Sequence, residues 1–118
     1  MPQITLEYTR HLADADWTPI ALEIHQAAVE IAGAALSACK TRLIALDHVV
    51  IADDAPETAM LACRIGLMLG RTPEQKSALS ERVLEILTAA LAGVTRKVEV
   101  SAEVFELNET YRKATLGD

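Results

Sequence analysis

Aromatic and basic residues are both scarce in this 118-residue chain, and each shortage closes off a class of function. One Phe, two Tyr and one Trp are few platforms for stacking, and 11 Lys and Arg against 17 Asp and Glu leave a formal net charge of −6. Nucleic-acid binding leans on basic patches and aromatic platforms, so no nucleic-acid partner is expected. An acidic protein takes an anionic small molecule only through a few cations placed locally against the overall field, which gives every Arg or Lys near a site extra weight. Cysteine is sparse too. Cys39 and Cys63 have neither the number of a disulfide framework nor the spacing of a metal pair, and read as packed thiols in a reducing cytoplasm. His11, His25 and His48 show no metal spacing, and no metal site is expected. His48, inside an apolar stretch, is expected to be a hydrogen-bonded core residue. Asp53-Asp54 is better explained as a turn than as a carboxylate pair. There is no G-x-S-x-G, P-loop or dinucleotide fingerprint. The apolar runs near 43–51 and 59–69 are broken by Asp47, His48 and Arg64 and are too short to span a bilayer. Residues 1–10 have no basic start or apolar block of the kind a signal peptide needs, so a cytoplasmic protein with no membrane partner is expected.

What the chain does have is aliphatic surface in a repeated pattern. Hydrophobic residues make up 51% of the sequence, nearly all Ala, Leu, Val and Ile. A domain of this size with so much apolar side chain often completes its core by oligomerising. Gln3 to Thr9 alternates, with Ile4, Leu6 and Tyr8 on one face, which is strand periodicity. Thr18-Pro19 opens a helix with Thr18 as cap; Ile20, Ile24, Ala27, Ala28 and Ile31 share a face, and Gly33 ends it. Leu43 to Ile51 reads as a second strand, apolar on both faces and therefore central. After the turn chemistry of Asp53-Asp54-Ala55-Pro56 the plan repeats. Thr58 to Leu67 is a strand, Gly70-Arg71 a turn, and Thr72 with Gln75 a capping box. The second helix carries Leu79, Val83, Ile86, Leu87, Ala90 and Leu91 at helical spacing, and Gly93 closes it. Val98, Val100, Ala102 and Val104 alternate with polar residues in a fourth strand. Tyr8 and Phe105 belong to core or interface rather than to a stacking site, and the polar tail from Asn108 is expected to be short or loosely docked.

This order, β-α-β twice over, makes an α+β domain spanning residues 1–118, with pseudo-repeat units of about 2–52 and 58–107. Parallel pairing within each unit gives a four-stranded mixed sheet with both helices on one face. The other sheet face should then present apolar side chains of the second and third strands for burial between subunits. Element order alone also fits a ferredoxin-like module that binds a small ligand.

Specific residues favour one of these folds. Gly70-Arg71-Thr72-Pro73-Glu74-Gln75-Lys76, after an apolar strand and opening a helix, resembles the G-R-S/T-x-E-Q-K segment of the tautomerase superfamily. Residues 60–111 are similar to a 4-oxalocrotonate tautomerase subunit. With a proline directly after Met1 and two fused units, the whole chain resembles the 5-carboxymethyl-2-hydroxymuconate isomerase family. The resemblance implies the tautomerase fold, a homotrimer with pockets near subunit boundaries, no cofactor or metal, and isomerisation of an unsaturated hydroxy or keto diacid from aromatic catabolism. It also implies a catalytic Pro2 whose amine is freed when Met1 is removed. Arg71, Lys40 and Arg42 are then the candidates for holding the carboxylates of a small anionic substrate, and Lys40 stands where relatives tend to carry arginine. In the second unit the position matching Pro2 falls at about Leu61, mid-chain and without an amine, so each subunit has one base. If Met1 is kept, Pro2 nitrogen is an amide, and the alternative is a non-catalytic binding protein of the same fold.

Overall fold

The computed structural model, which describes residues 2–54 and 57–117, contains both β-α-β units. The elements are β1 (Gln3–Thr9), α1 (Thr18–Ala32), β2 (Lys40–Leu46), β3 (Thr58–Leu67), α2 (Pro73–Ala90) and β4 (Lys97–Glu106), with short 3-10 turns at Arg10–Leu12 and Leu36–Ala38. The sheet order is β2-β1-β3-β4. β1 runs parallel to β2, β3 runs parallel to β4, and β1 meets β3 antiparallel at the centre. This is the four-stranded mixed sheet of an α+β domain. The expected turn is present at Asp53 and Asp54, whose amide bonds back to Ile51; Ala55 and Pro56 lie outside the described residues.

Alternation decides which face the helices cover. Ile4, Leu6 and Tyr8 of β1 and Ala59, Leu61, Cys63, Ile65 and Leu67 of β3 are buried against Ile24, Ala28, Leu79, Val83 and Leu87. Each large aliphatic side chain taken from water contributes roughly 1.5–3 kcal/mol, so this one layer carries most of the fold. Tyr8 stacks on Trp17 with ring centroids 5.4 Å apart, and the indole N–H is satisfied by the Leu12 carbonyl at 2.9 Å.

The helix ends differ in how they are capped. Thr72 and Gln75 form the expected reciprocal box at the start of α2. At α1 the cap position is Trp17, with Thr18 already helical; the Thr18 amide instead donates to Asp16 Oδ1 at 3.2 Å. Gly33 ends α1 in the left-handed region, φ 67°. α2 stops at Ala90, before Gly93, because the chain tightens into turns at Leu91 and Ala92.

Several sequence expectations need correction. The second strand starts earlier and ends sooner than Leu43–Ile51, and it is an edge strand, not a central one. The reason is its partner: β2 pairs with β1 only, and the register runs out at Thr9 opposite Leu46. His48 therefore lies outside the sheet and is exposed, not a core residue. Leu61, the position matched to Pro2 in the second unit, sits fully buried within β3. The sheet face away from the helices is also less apolar than expected. It carries Gln3, Thr5 and Glu7 of β1, Arg64 of β3 and Glu103 of β4 beside Met60 and Ala62, because the larger aliphatic residues of β3, Leu61, Ile65 and Leu67, point under the helices. Arg64 pairs with Glu103 at 2.9 Å and lies 4.7 Å over the Phe105 ring. No helix among the described residues is long and apolar enough to cross a membrane.

Candidate active site

Four chain segments meet at one end of the sheet. The register sets Lys40, Gln3, Gly66 and Phe105 level with one another, which brings together the starts of β1 and β2 and the ends of β3 and β4. Pro2 is fully buried at this end. Its carbonyl accepts a hydrogen bond from the Lys40 amide at 3.2 Å, so the peptide that follows the proline ring is pinned to β2.

Arg71 reaches the same end from the loop after β3. It is half-buried, and its Nε donates to the Ala32 carbonyl at 2.9 Å. Gln75 Nε2 adds a bond to the Ile31 carbonyl at 3.4 Å. A cation on the last turn of a helix meets unpaired carbonyls and the negative end of the helix dipole. The Gly70-Arg71 turn thus locks the second unit onto the end of α1, and Arg71 takes part in no ion pair among the described residues.

Lys40 and Arg42 stand differently. Both are exposed, and their register beside Gln3 and Thr5 puts them on the sheet face away from the helices. Lys40 Nζ turns back onto the Ala38 carbonyl at 3.2 Å. Arg42 is two residues further along the edge strand. Within one chain, the fold gathers Pro2, Lys40 and Arg71 at one sheet end and leaves Arg42 beyond them.

Three neighbours were not singled out from the sequence. Cys39 precedes Lys40 and comes level with Pro2; burial pushes its thiol above the usual range. Gln3 and Tyr111 are joined by a hydrogen bond of 3.0 Å from Gln3 Nε2 to the phenol oxygen. That contact spans nearly the entire chain, so no local pattern could signal it. Among the described residues, cavities of 320, 220 and 180 Å³ are lined by residues other than these. The one of 320 Å³ lies at the opposite sheet end, between Thr9, Leu46 and Thr58 and beside the Arg10–Asp47 ion pair. The end that holds Pro2 is flanked by β2, an edge strand of the sheet.

Leu107 extends β4 by donating its amide to the Leu67 carbonyl at 2.7 Å, and the segment after it docks through Tyr111.

In sequence, residues 2–116 match the profile of the 5-carboxymethyl-2-hydroxymuconate isomerase family. Among curated proteins none matches the chain. Among solved structures, a 5-carboxymethyl-2-hydroxymuconate isomerase from Deinococcus radiodurans superposes with a TM-score of 0.86 at 23% identity, covering 97% of this chain and 90% of that one. A 5-carboxymethyl-2-hydroxymuconate delta-isomerase gives 0.77 at 20% identity, over 99% and 89%. A wild-type fused 4-OT, a symmetric trimer, gives 0.69 at 23% identity, over 98% and 93%. At these identities the likeness of structure speaks for the fold, which is the tautomerase fold.

Proposed function

Since the chain belongs to the 5-carboxymethyl-2-hydroxymuconate isomerase family, we propose that it is a cofactor-independent isomerase in which Pro2, freed by removal of Met1, moves a proton on an unsaturated 2-hydroxy or 2-keto diacid of aromatic catabolism. The observation that carries this reading is the placement of Pro2, fully buried at the sheet end that Lys40 and Arg71 also reach.

The chemistry follows from that placement. A free α-amine titrates at roughly 7.7–8.0. Apolar surroundings and nearby cations both disfavour its charged form and lower that value, leaving a neutral amine as general base near neutral pH. The amine takes a proton beside the substrate's carbonyl, the electrons spread into a dienolate, and the ammonium returns the proton to another carbon of the same conjugated system. Arg71 and Lys40 hold the carboxylates and offset the developing charge. The guanidinium of Arg71 offers a fork to a carboxylate, whereas Lys40 offers a point charge. Activity rises with pH as the amine loses its proton and levels off above its pKa.

The particle is proposed to be a homotrimer, in line with the trimeric fused 4-OT of the same fold. A neighbour seated along β2 would bring the Pro2 end to a subunit boundary, and Arg42, exposed on that edge strand, would face it.

The test joins intact mass with turnover of simple 2-hydroxydienoates. Protein made with its native start should lack Met1, and Pro2→Ala should lower kcat/KM by about 10²–10⁴-fold, the usual worth of a positioned general base. Comparable turnover in both proteins, or a native chain that keeps Met1, would sink the proline mechanism. The second outcome would leave a binding protein of the same fold.

A further inference from the structure

We infer that Tyr111 is a positioning residue that clasps the N-terminal strand from the C-terminal tail and holds Pro2 in its seat. The inference rests on Pro2 being the reacting group, as proposed above.

A chain that begins inside a sheet is prone to fray, because few contacts precede the first strand to hold it. Here the residue after Pro2 is held from three sides. Gln3 is paired with Lys40 on one flank and Gly66 on the other, and its side-chain amide donates to Tyr111 across the sheet face. The tail is delivered there by a defined path. The Leu107 amide is tied to Leu67, and the Tyr111 amide closes a turn onto the Asn108 carbonyl at 2.9 Å. Asn108 Oδ1 accepts from both the amide and the hydroxyl of Thr110, which stiffens that turn.

Gly66 makes the close approach feasible. A Cβ at this position would stand 2.6 Å from Leu107 Cδ2 and 3.1 Å from Phe105 Cζ. Without it, Phe105 and Leu107 lie flat over the strand beside Gln3, and the tail follows them down. A second observation marks the contact as more than packing: the other polar atom of the same amide, Gln3 Oε1, is buried with no partner among the described residues. A buried orphan acceptor lowers stability, and such groups invite an explanation beyond stability. The amide nitrogen is the one polar atom of this side chain with a partner among the described residues, and that partner is Tyr111.

The test compares wild type, Tyr111→Phe, Gln3→Met and the double variant. Two quantities are read: amide hydrogen exchange at Lys40, whose N–H is bonded to Pro2, and kcat separately from KM. Tyr111→Phe keeps the ring and removes only the hydroxyl. It should speed Lys40 exchange about 10-fold through local opening, leave Leu61 exchange unchanged, and lower kcat about 10-fold with KM within about twofold. Gln3→Met should do the same, and the double variant should be no worse than either single one. Unchanged Lys40 exchange, additive effects in the double variant, or faster exchange with unaltered kcat would each overturn the clasp. If wild type turns over none of the dienoates, the isomerase reading fails, and Lys40 exchange still decides for or against the clasp.

Discussion

Cys63 lies among Ile65, Leu61 and Leu6 with its thiol out of water, and burial pushes its pKa up from 9.0 to about 12. The sign of the effect follows from which state holds the proton. Below pH 9 both folded and unfolded chains carry a neutral thiol and stability is unaffected. Between pH 9 and about 12 the unfolded chain gives up its proton while the folded one keeps it, so stability falls as pH rises. The loss is about 1.4 kcal/mol for each unit above 9. Thermal melts from pH 8 to 10.5 should show this decline in wild type and a shallower one in Cys63→Ala; parallel curves would refute it. Single residues were unevenly legible. Pro2 and Arg71 stand out as candidates by position and motif, because a chain start and a strand-to-helix turn are local features. Cys39, Gln3 and Tyr111 did not, because each owes its place to a register between distant segments. The two edge cations show the same limit. Their presence was plain, but the sheet face each takes depends on pairing with β1.

Elements whose boundaries are written in neighbouring residues were read well. The start of α2 is the clearest case, since Thr72, Pro73 and Gln75 supply cap, first-turn φ and return bond within four residues. Thr72→Ala should cost about 1 kcal/mol and lower Tm by roughly 3–5 °C at this chain length. Its effect should come with little change in substrate affinity, since the Arg71 anchor to Ala32 is a separate bond. Calorimetry of the variant checks this, and an unchanged Tm would contradict it. The second strand was read badly for a physical reason. Leu43 to Ile51 is apolar throughout, yet a parallel strand lasts only as long as its partner, and β1 ends at Thr9. Apolar content on both faces of β2 points to a central strand when read from sequence alone. It fits equally well an edge strand waiting for a neighbour, with Leu43 38% and Ile44 39% exposed. His25 reaches across from α1 to Thr41 on this strand at 2.7 Å, which keeps the edge flat against the helix layer.

At the level of the whole molecule the sheet has two open edges, β2 and β4, each with unpaired backbone groups. Long open edges invite pairing with another chain, and closed symmetric rings satisfy such edges without leaving fibres. The expected particle in solution has three times the 12.8 kDa of one chain. Light scattering on wild type should return that mass, and Ile44→Lys on the exposed edge should shift it toward one chain while leaving circular dichroism intact. A monomeric wild type would contradict the ring. The placement of both chain ends carries a practical consequence for anyone producing this protein. Pro2 is flush with the sheet rim and enclosed, so an affinity handle or fusion partner joined ahead of it would crowd its seat and, under the mechanism proposed above, acylate the nitrogen assigned as the base. Beyond Tyr111 the residues turn outward, Leu116 being 92% exposed, and a carrier appended there would hang free, leaving purification and immobilisation to the far terminus alone.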